Sequence, residues 1–340
     1  MNKRTKQALA NKGGLAPVGA LLKQYQPDLP LTKQQLRKVE CIELVRTSRD
    51  THTQSLGYAP RPFVMCNFPH KRPANNARPY ERYNGDFVLK ILPDPDLGVP
   101  FGRDRIWPIY LSTVAVLQQS PIIRFSRAAD ILDLFGMPKG GAQFERLVEG
   151  FKRIFSATII FGPRESVLQQ SLAFADPNET SVPAVAFSKK RFHFIDEAKL
   201  WYDRENQGNC HFKENHIKLN ATFFEEIMAH PIPADLAAVR ALASSPGALD
   251  LYMWLSYRCY NIKGSDAPAI PLFGPHGLVH QLGSEQYARP RDFRRQLELW
   301  LRQVQALWPG CPARINTAGS YLILKHAVAN HPRSVNALAL

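Results

Sequence analysis

The sequence predicts an α+β protein with two tandem winged-helix domains, each a helix-turn-helix followed by a β-hairpin wing, after a basic N-terminal arm. Three observations predict this architecture: paired helices with apolar residues at helical spacing, tight Gly or Pro turns between them, and β-rich segments after each pair. The chain has 340 residues and is 45% apolar, which is enough for two medium-sized cores.

The first 86 residues are rich in Pro, Asn, Gln and basic side chains. We therefore predict a partly disordered arm over residues 1–86, with one helix from about Thr32 to Arg49. The order of the later elements places the first winged-helix-like domain at residues 87–206. It places the second at residues 214–327 and a tail at residues 328–340.

The first predicted domain opens with the strand FVLKIL and a helix whose apolar residues recur at helical spacing. A second helix, capped by Ser126, and a third helix follow, with the turn GMPKGG between them. The predicted elements are a strand at 87–92, a helix at 104–119, a strand at 122–125, helices at 126–135 and 142–156, and β-rich segments at 158–162, 168–174 and 191–202.

The second half repeats this order of elements, although the two halves share no visible sequence identity, so that duplication stays open. Its last helix ends at a Pro-Gly pair, and the turn Ala318-Gly319-Ser320 predicts a hairpin after it. The predicted elements are a strand at 216–220, helices at 222–228 and 248–261, a strand at 269–273, helices at 274–282 and 290–308, and hairpin strands at 314–317 and 321–326.

The net charge of +14 indicates an acidic partner, either nucleic acid or an anionic membrane surface, unless the charge is merely spread over the surface. The excess of basic over acidic residues is +9 in residues 1–86, −1 in 87–288 and +6 in 289–340. The charge therefore lies at the two ends. No apolar run approaches the roughly 20 residues of a membrane helix, so we expect no membrane partner.

The five cysteines are widely spaced and contain no Cys-x-x-Cys pair. This pattern argues against a disulfide framework or structural zinc and fits a reducing cytoplasm, where we expect the protein to be located.

The helix at 290–308 carries the clearest functional signal, because its apolar and arginine faces separate at 100° per residue. An arginine can donate two hydrogen bonds to guanine or pair with phosphate, so the pattern favours a recognition helix in a DNA major groove. A solvated helix face is the alternative. The predicted DNA-binding residues are Arg289, Arg291, Arg294, Arg295 and Arg302 on or beside this helix, and Asn316, Ser320 and Lys325 on the wing.

The corresponding helix of the first domain has a mixed outward face. Arg146 and Arg153 are predicted to contact DNA phosphates, with a salt-bridged surface as an equally favoured alternative.

Catalytic alternatives find little support in the sequence. The chain has no His-x-His pair of the kind that nicking enzymes use to hold a metal, and GMPKGG lacks the Gly-Lys-Ser/Thr order of a phosphate loop. The prolines around Asp94-Pro95-Asp96 indicate a surface turn, and Cys210, His211 and His216 do not have a familiar zinc spacing. We therefore expect no catalytic residue, metal or cofactor.

Three stretches resemble plasmid-encoded RepA replication initiators of Gram-negative bacteria, with order and spacing that agree across about residues 63–326. The most specific is FFEEIMAHPIPADLAAVRALASSPGALDLYMWLSYR, in which His-Pro-Ile-Pro and Ser-Pro precede a long Leu/Tyr/Trp helix. The chain departs from the family at Arg103-Asp104-Arg105, where a Ser-Tyr-Pro or similar sequence is usual. The stretches are Leu97 to Val116, Phe223 to Arg258 and Ala288 to Leu301.

The resemblance implies a winged-helix protein that binds repeated double-stranded origin sequences of a plasmid and opens nearby DNA. It also implies recruitment of host factors, namely a host initiator and the replicative helicase, and a homodimer in equilibrium with the monomer. The residues alone indicate DNA binding. They leave open a transcriptional regulator that binds an operator and never initiates replication.

Overall fold

A computed structural model describes residues 33–85, 87–125, 128–137, 139–163, 189–199, 215–274, 276–282, 287 and 289–330. Helices and strands alternate along this part of the chain, which confirms the predicted α+β class. The strands within the described residues form four small antiparallel sheets.

The N-terminal segment is built into the core, which differs from the predicted arm. Helix α1 (Lys33–Asp50), strand β1 (Leu56–Pro60) and helix α2 (Arg61–Met65) precede an irregular stretch. Val45 and Phe68 are almost fully buried, because their apolar side chains pack against elements much later in the chain. Residues 1–32 of the predicted arm lie outside the described residues.

The first unit contains the predicted run of helices, with a 3-10 turn at Gly102–Arg105 before the first of them. The Ser126 cap and the predicted segment at 168–174 lie outside the described residues. The helices are α3 (Ile106–Gln118), α4 (Ala128–Leu134) and α5 (Gly141–Ser156).

Two sheets accompany these helices. One has the order β2-β3-β5-β6 and the other β4-β8-β7. The predicted single segment at 191–202 is two strands in different sheets, because the chain crosses between the sheets at the buried Phe194. The strands are β2 (Tyr80–Asn84), β3 (Phe87–Leu92), β4 (Ile122–Phe125), β5 (Thr158–Pro163), β6 (Lys190–His193), β7 (Ile195–Lys199) and β8 (Asn215–Leu219).

Strand β8 does not match the predicted start of the second unit at residue 214. Its residues pair with β4 on one side and β7 on the other, so it belongs to the sheet of the first unit. Ile217 and Leu219 point into that unit's core and are buried.

The second unit follows the predicted order and adds a strand and a short helix that the sequence did not indicate. Strand β9 (Pro231–Asp235) pairs with β1, with Leu56 opposite Asp235. The Asp235 side chain then accepts hydrogen bonds from the Ala237 and Ala238 amides and caps the next helix. The helices are α6 (Ala221–Ala229), α7 (Leu236–Leu242), α8 (Pro246–Asn261), α9 (Leu278–Gln281) and α10 (Pro290–Leu307), and the remaining strands are β10 (Ala269–Pro271), β11 (Arg314–Ile315) and β12 (Tyr321–Ile323).

A buried ionic cluster joins the two units around α8. The Arg105 guanidinium donates from Nε to Asp250 Oδ1 at 2.7 Å and from Nη2 to Asp250 Oδ2 at 2.9 Å. It also donates to the carbonyls of Phe68, at 3.0 Å, and Gly102. His70 Nε2 lies 3.1 Å from Asp250 Oδ2, and burial lowers the pKa of His70 below its ordinary value. Because these side chains are shielded from water, the pairing with Asp250 is needed to offset the desolvation of Arg105.

Replacing Asp250 by Asn is expected to lower the free energy of unfolding by about 3–5 kcal/mol, since it leaves the Arg105 guanidinium buried without its counter-charge. Urea denaturation followed by circular dichroism measures the change. Glu81→Gln is the matched control, because it removes a more exposed carboxylate that lies 2.7 Å from Lys90 Nζ. The control is expected to cost under about 1 kcal/mol. Equal losses in the two variants would contradict a structural role for the buried cluster.

Candidate nucleic-acid interface

Helix α10 has the two faces that the sequence predicts. Phe293, Leu297 and Val304 are fully buried, and Trp300 is nearly so. The opposite face carries exposed arginines and is available to a ligand. They are Arg291, Arg294, Arg295 and Arg302, with the exposed Arg289 at the N-cap.

The buried face of α10 is held against α8 by a close contact at Gly247. A Cβ atom at that position would lie 2.1 Å from Cζ2 of Trp300, so only glycine allows this approach. The Trp300 ring also packs edge-on against His70, with the ring centroids 5.1 Å apart. These contacts fix the rotation of α10 about its axis.

The C-terminal end of α10 is fixed by arginines of α1. Arg46 Nε donates to the Ala306 carbonyl at 2.7 Å, and Arg49 donates to the Leu307 carbonyl. The last carbonyls of a helix lack partners within the helix and carry partial negative charge, so cations there are stabilising. Helix α1 therefore holds α10 in place with its arginine face outward.

Strands β11 and β12 form the predicted hairpin after α10. Arg314 lies opposite Ile323 and Ile315 opposite Leu322, and β12 also pairs with β10. The Asn316 side-chain oxygen accepts hydrogen bonds from the amides of Ser320, at 2.8 Å, and Tyr321, at 3.0 Å. This oxygen therefore shapes the turn, which is a different role from the DNA contact that the sequence analysis predicts for Asn316.

Arg294 joins the helix to the wing. A Cβ atom on Gly319, whose φ is +70°, would lie 2.2 Å from Arg294 Nη1 and 2.9 Å from its Cδ. The Arg294 side chain therefore lies over the wing turn, while its Nε is 3.3 Å from Glu298 Oε1. The arginine face and the wing turn consequently form one continuous surface.

The remaining predicted residues of this surface are exposed. Arg291 has 74% of its side chain exposed and is 3.8 Å from Asp292. Ser320 and Lys325 are exposed on and after the wing. Arg314 in β11 is also exposed, and the sequence analysis missed it. The alternation of strand RINT, with Ile315 facing the opposite way, was the signal that could have identified it.

The structure separates the two arginines predicted on α5. Arg146 is exposed. Arg153 has only 12% of its side chain exposed, donates from Nε to Asp104 Oδ2 at 2.7 Å and from Nη2 to Asp104 Oδ1 at 3.1 Å, and lies over the Phe101 ring. This bidentate pair occupies the guanidinium, so Arg153 corresponds to the salt-bridged alternative that the sequence left open and not to a free phosphate-binding arginine.

The described cysteines Cys41, Cys66, Cys259 and Cys311 are free thiols. Burial raises the pKa of the Cys66 thiol to about 12. Among the described residues, no three His, Cys, Asp or Glu side chains cluster closely enough to hold a metal ion, and Cys210 and His211 lie outside those residues. No helix in the described part of the chain is both long and apolar enough to cross a membrane.

The family described as plasmid encoded RepA protein matches residues 179–270 of this chain. The match confirms the resemblance to plasmid-encoded RepA proteins and contains the stretch Phe223 to Arg258, which carries it most specifically. It includes β8, α6, β9, α7 and α8, and α8 packs against the arginine helix α10. No curated protein sequence matches the chain.

Two crystal structures of domains 2 and 3 of RctB are similar to this protein. A selenomethionine derivative is 15% identical, with a TM-score of 0.50 over 79% of this chain and 99% of that chain. A second structure is 14% identical, with a TM-score of 0.45 over 75% of this chain and 92% of that one. The first likeness shows a shared fold.

The contact between Arg294 and the wing predicts a selective effect of Gly319→Ala. Gly264→Ala is its matched control, because Gly264 has a φ of +61° and open space around its Cβ position. Both variants are expected to lose about 1–2 kcal/mol of stability, since each forces a side chain into left-handed backbone. Only Gly319→Ala displaces Arg294, so only this variant should weaken binding to a labelled duplex in fluorescence anisotropy. Equal binding by the two variants would rule out a functional role for the contact.

Proposed function

We propose that this chain, which resembles plasmid-encoded RepA proteins, is a plasmid replication initiator that binds repeated duplex sequences in the origin. The observation that carries the proposal is the arginine face of α10, held outward by α1 and α8 and continuous with the hairpin wing. This arrangement supports a winged-helix domain, and the order of elements in the first unit supports a second one in tandem.

The chemistry of the surface suits duplex DNA. A major groove about 12 Å wide admits an α-helix, and an arginine fork can donate two hydrogen bonds to O6 and N7 of guanine. Arg291, Arg294 and Arg295 lie in the N-terminal half of α10, the part that reaches base edges in helix-turn-helix docking. Arg314 on the wing and Lys325 just after it would contact the phosphates beside the groove.

In this proposal, the protein promotes opening of the origin and recruits a host initiator and the replicative helicase. It catalyses no reaction and uses no cofactor of its own. The match to the RepA family supports this role over that of a transcriptional regulator. A homodimer in equilibrium with the monomer and a cytoplasmic location belong to the same proposal.

Arg295→Ala is expected to cost about 1–3 kcal/mol of binding free energy on the cognate site and less on scrambled DNA, because a base-reading arginine is lost. Arg295 is chosen since Arg294 also contacts the wing. The two affinities are measured by titrating a labelled duplex from the DNA that flanks the gene and a labelled scrambled duplex. Lys263→Ala removes an exposed charge outside α10 and should leave the ratio of the two affinities unchanged. If a folded Arg295→Ala protein kept wild-type affinity and selectivity, Arg295 would not be a base-reading residue.

Supplying the gene in trans is expected to let an otherwise non-replicating DNA circle persist in a bacterial host when the circle carries the DNA that flanks the gene. Plasmid retention over generations is the measurement, and the Arg295→Ala variant is expected to reduce it. A wild-type protein that represses a promoter in the flanking DNA but never supports the circle would instead identify a transcriptional regulator.

A further inference from the structure

The irregular stretch before β2 contains a basic loop, residues 71–79, with the sequence KRPANNARP. Its cations Lys71, Arg72 and Arg78 are all exposed. Within the described part of the chain, none of the three forms an ion pair. The nearest acid after the loop, Glu81, pairs instead with Lys90 Nζ at 2.7 Å. The loop therefore presents three positive charges that the fold itself does not use.

The shape of this loop is fixed by Asn76 near its centre. The Asn76 carbonyl accepts a hydrogen bond from the Val99 amide at 3.0 Å, and Asn76 Nδ2 donates to the Leu97 carbonyl at 3.4 Å. A Cβ atom on Gly98, whose φ is +79°, would lie 1.7 Å from Asn76 Nδ2, so only glycine allows this approach. The loop is therefore held against the turn that follows β3.

Both ends of the loop are attached to the helices α9 and α10. His70, the residue before the loop, packs edge-on against Trp300 of α10, with the ring centroids 5.1 Å apart. Strand β2 begins directly after the loop and packs against α9. The loop consequently lies beside the helix that is proposed to enter the major groove. A helix with its side chains is about 10–12 Å across and the groove is about 12 Å wide, so an element beside α10 is near the phosphates that border the groove.

A cleft of about 600 Å³ lies between the loop and the turn at 94–98. Arg72 and Asn75 line it and can donate hydrogen bonds to an anionic oxygen. Asp96 also lines the cleft, and its carboxylate would oppose an anion there. Asp94 has a different role, because its Oδ1 accepts hydrogen bonds from the amides of Asp96, at 2.9 Å, and Leu97, at 3.1 Å.

We propose that the basic loop 71–79 binds backbone phosphates of duplex DNA beside the groove that α10 enters, without reading the sequence. Phosphate contacts fix the register and orientation of a protein on the duplex but carry no sequence information directly. The loop would therefore orient α10 in the groove, and the DNA backbone would supply the counter-charge for Arg72 and Arg78. The inference rests on the proposed function, because it adds a second contact with the same duplex.

The test uses Arg72→Gln/Arg78→Gln in the full chain, with Lys38→Gln/Lys263→Gln as a control that removes two exposed charges elsewhere. Anisotropy titrations at several salt concentrations use a labelled duplex from the flanking DNA and a scrambled duplex of the same composition. The loop variant should flatten the slope of log K against log salt by about 1.8 on both duplexes, which is about 0.9 for each lost phosphate contact. The preference for one duplex over the other should not change, and the control should keep the wild-type slope.

Asp96→Asn tests the proposal in the opposite direction, because it removes the acid from the cleft and keeps the backbone contacts of the turn. It should tighten binding to both duplexes by roughly 1.5- to 5-fold, the effect of one exposed charge pair. It also keeps the proposal testable if the double variant does not fold. Wild-type slopes in the loop variant, or unchanged affinity in Asp96→Asn, would overturn the proposal. A wild-type protein with no preference between the two duplexes would instead count against the proposed function, so the two failures are distinguishable.

Discussion

The ion pair between Arg105 and Asp250 is the constraint on which the rest of the structure depends. Arg105 ends the 3-10 turn that leads into the first unit, and Asp250 lies in the helix at the centre of the second. His70 joins the same carboxylate and also contacts Trp300 of the arginine helix. The Asp250 carboxylate therefore connects the N-terminal segment, the first unit and the arginine helix α10, and a shift of any of them would disturb the others.

The elements predicted best are those whose sequence pattern is complete in itself. Helix α10 separates its apolar and basic residues within 18 positions, and its hairpin has a Gly turn, so both could be predicted without knowledge of their neighbours. Strand β9 could not be predicted in this way. Its sequence PIPAD contains two prolines, which argue against a strand. It pairs with β1, which belongs to the N-terminal segment. The same segment looked like an arm because composition does not show that Phe68 is buried.

The candidate site shows a similar limit. The periodicity of α5 correctly placed Arg153 away from the apolar face, but it could not show that Asp104, almost 50 residues earlier, takes up its guanidinium. Counted over long segments, the net charge of the middle of the chain, residues 87–288, is close to zero. Such a count could not show that Arg124 and Lys199, 75 positions apart, are aligned across one sheet. The register of strand pairing determines this alignment, and that register exists only in the folded protein.

The contacts of α1 with the end of the chain have a consequence for biosynthesis. Arg46 and Arg49 donate hydrogen bonds to the carbonyls of Ala306 and Leu307, which lie 260 and 258 residues later. A ribosome that adds about 5–20 residues per second takes roughly 13–52 s to supply those partners. During that interval α1 lacks α10, one of the helices against which it packs. The N-terminal helix can therefore reach its folded position only when synthesis is almost complete.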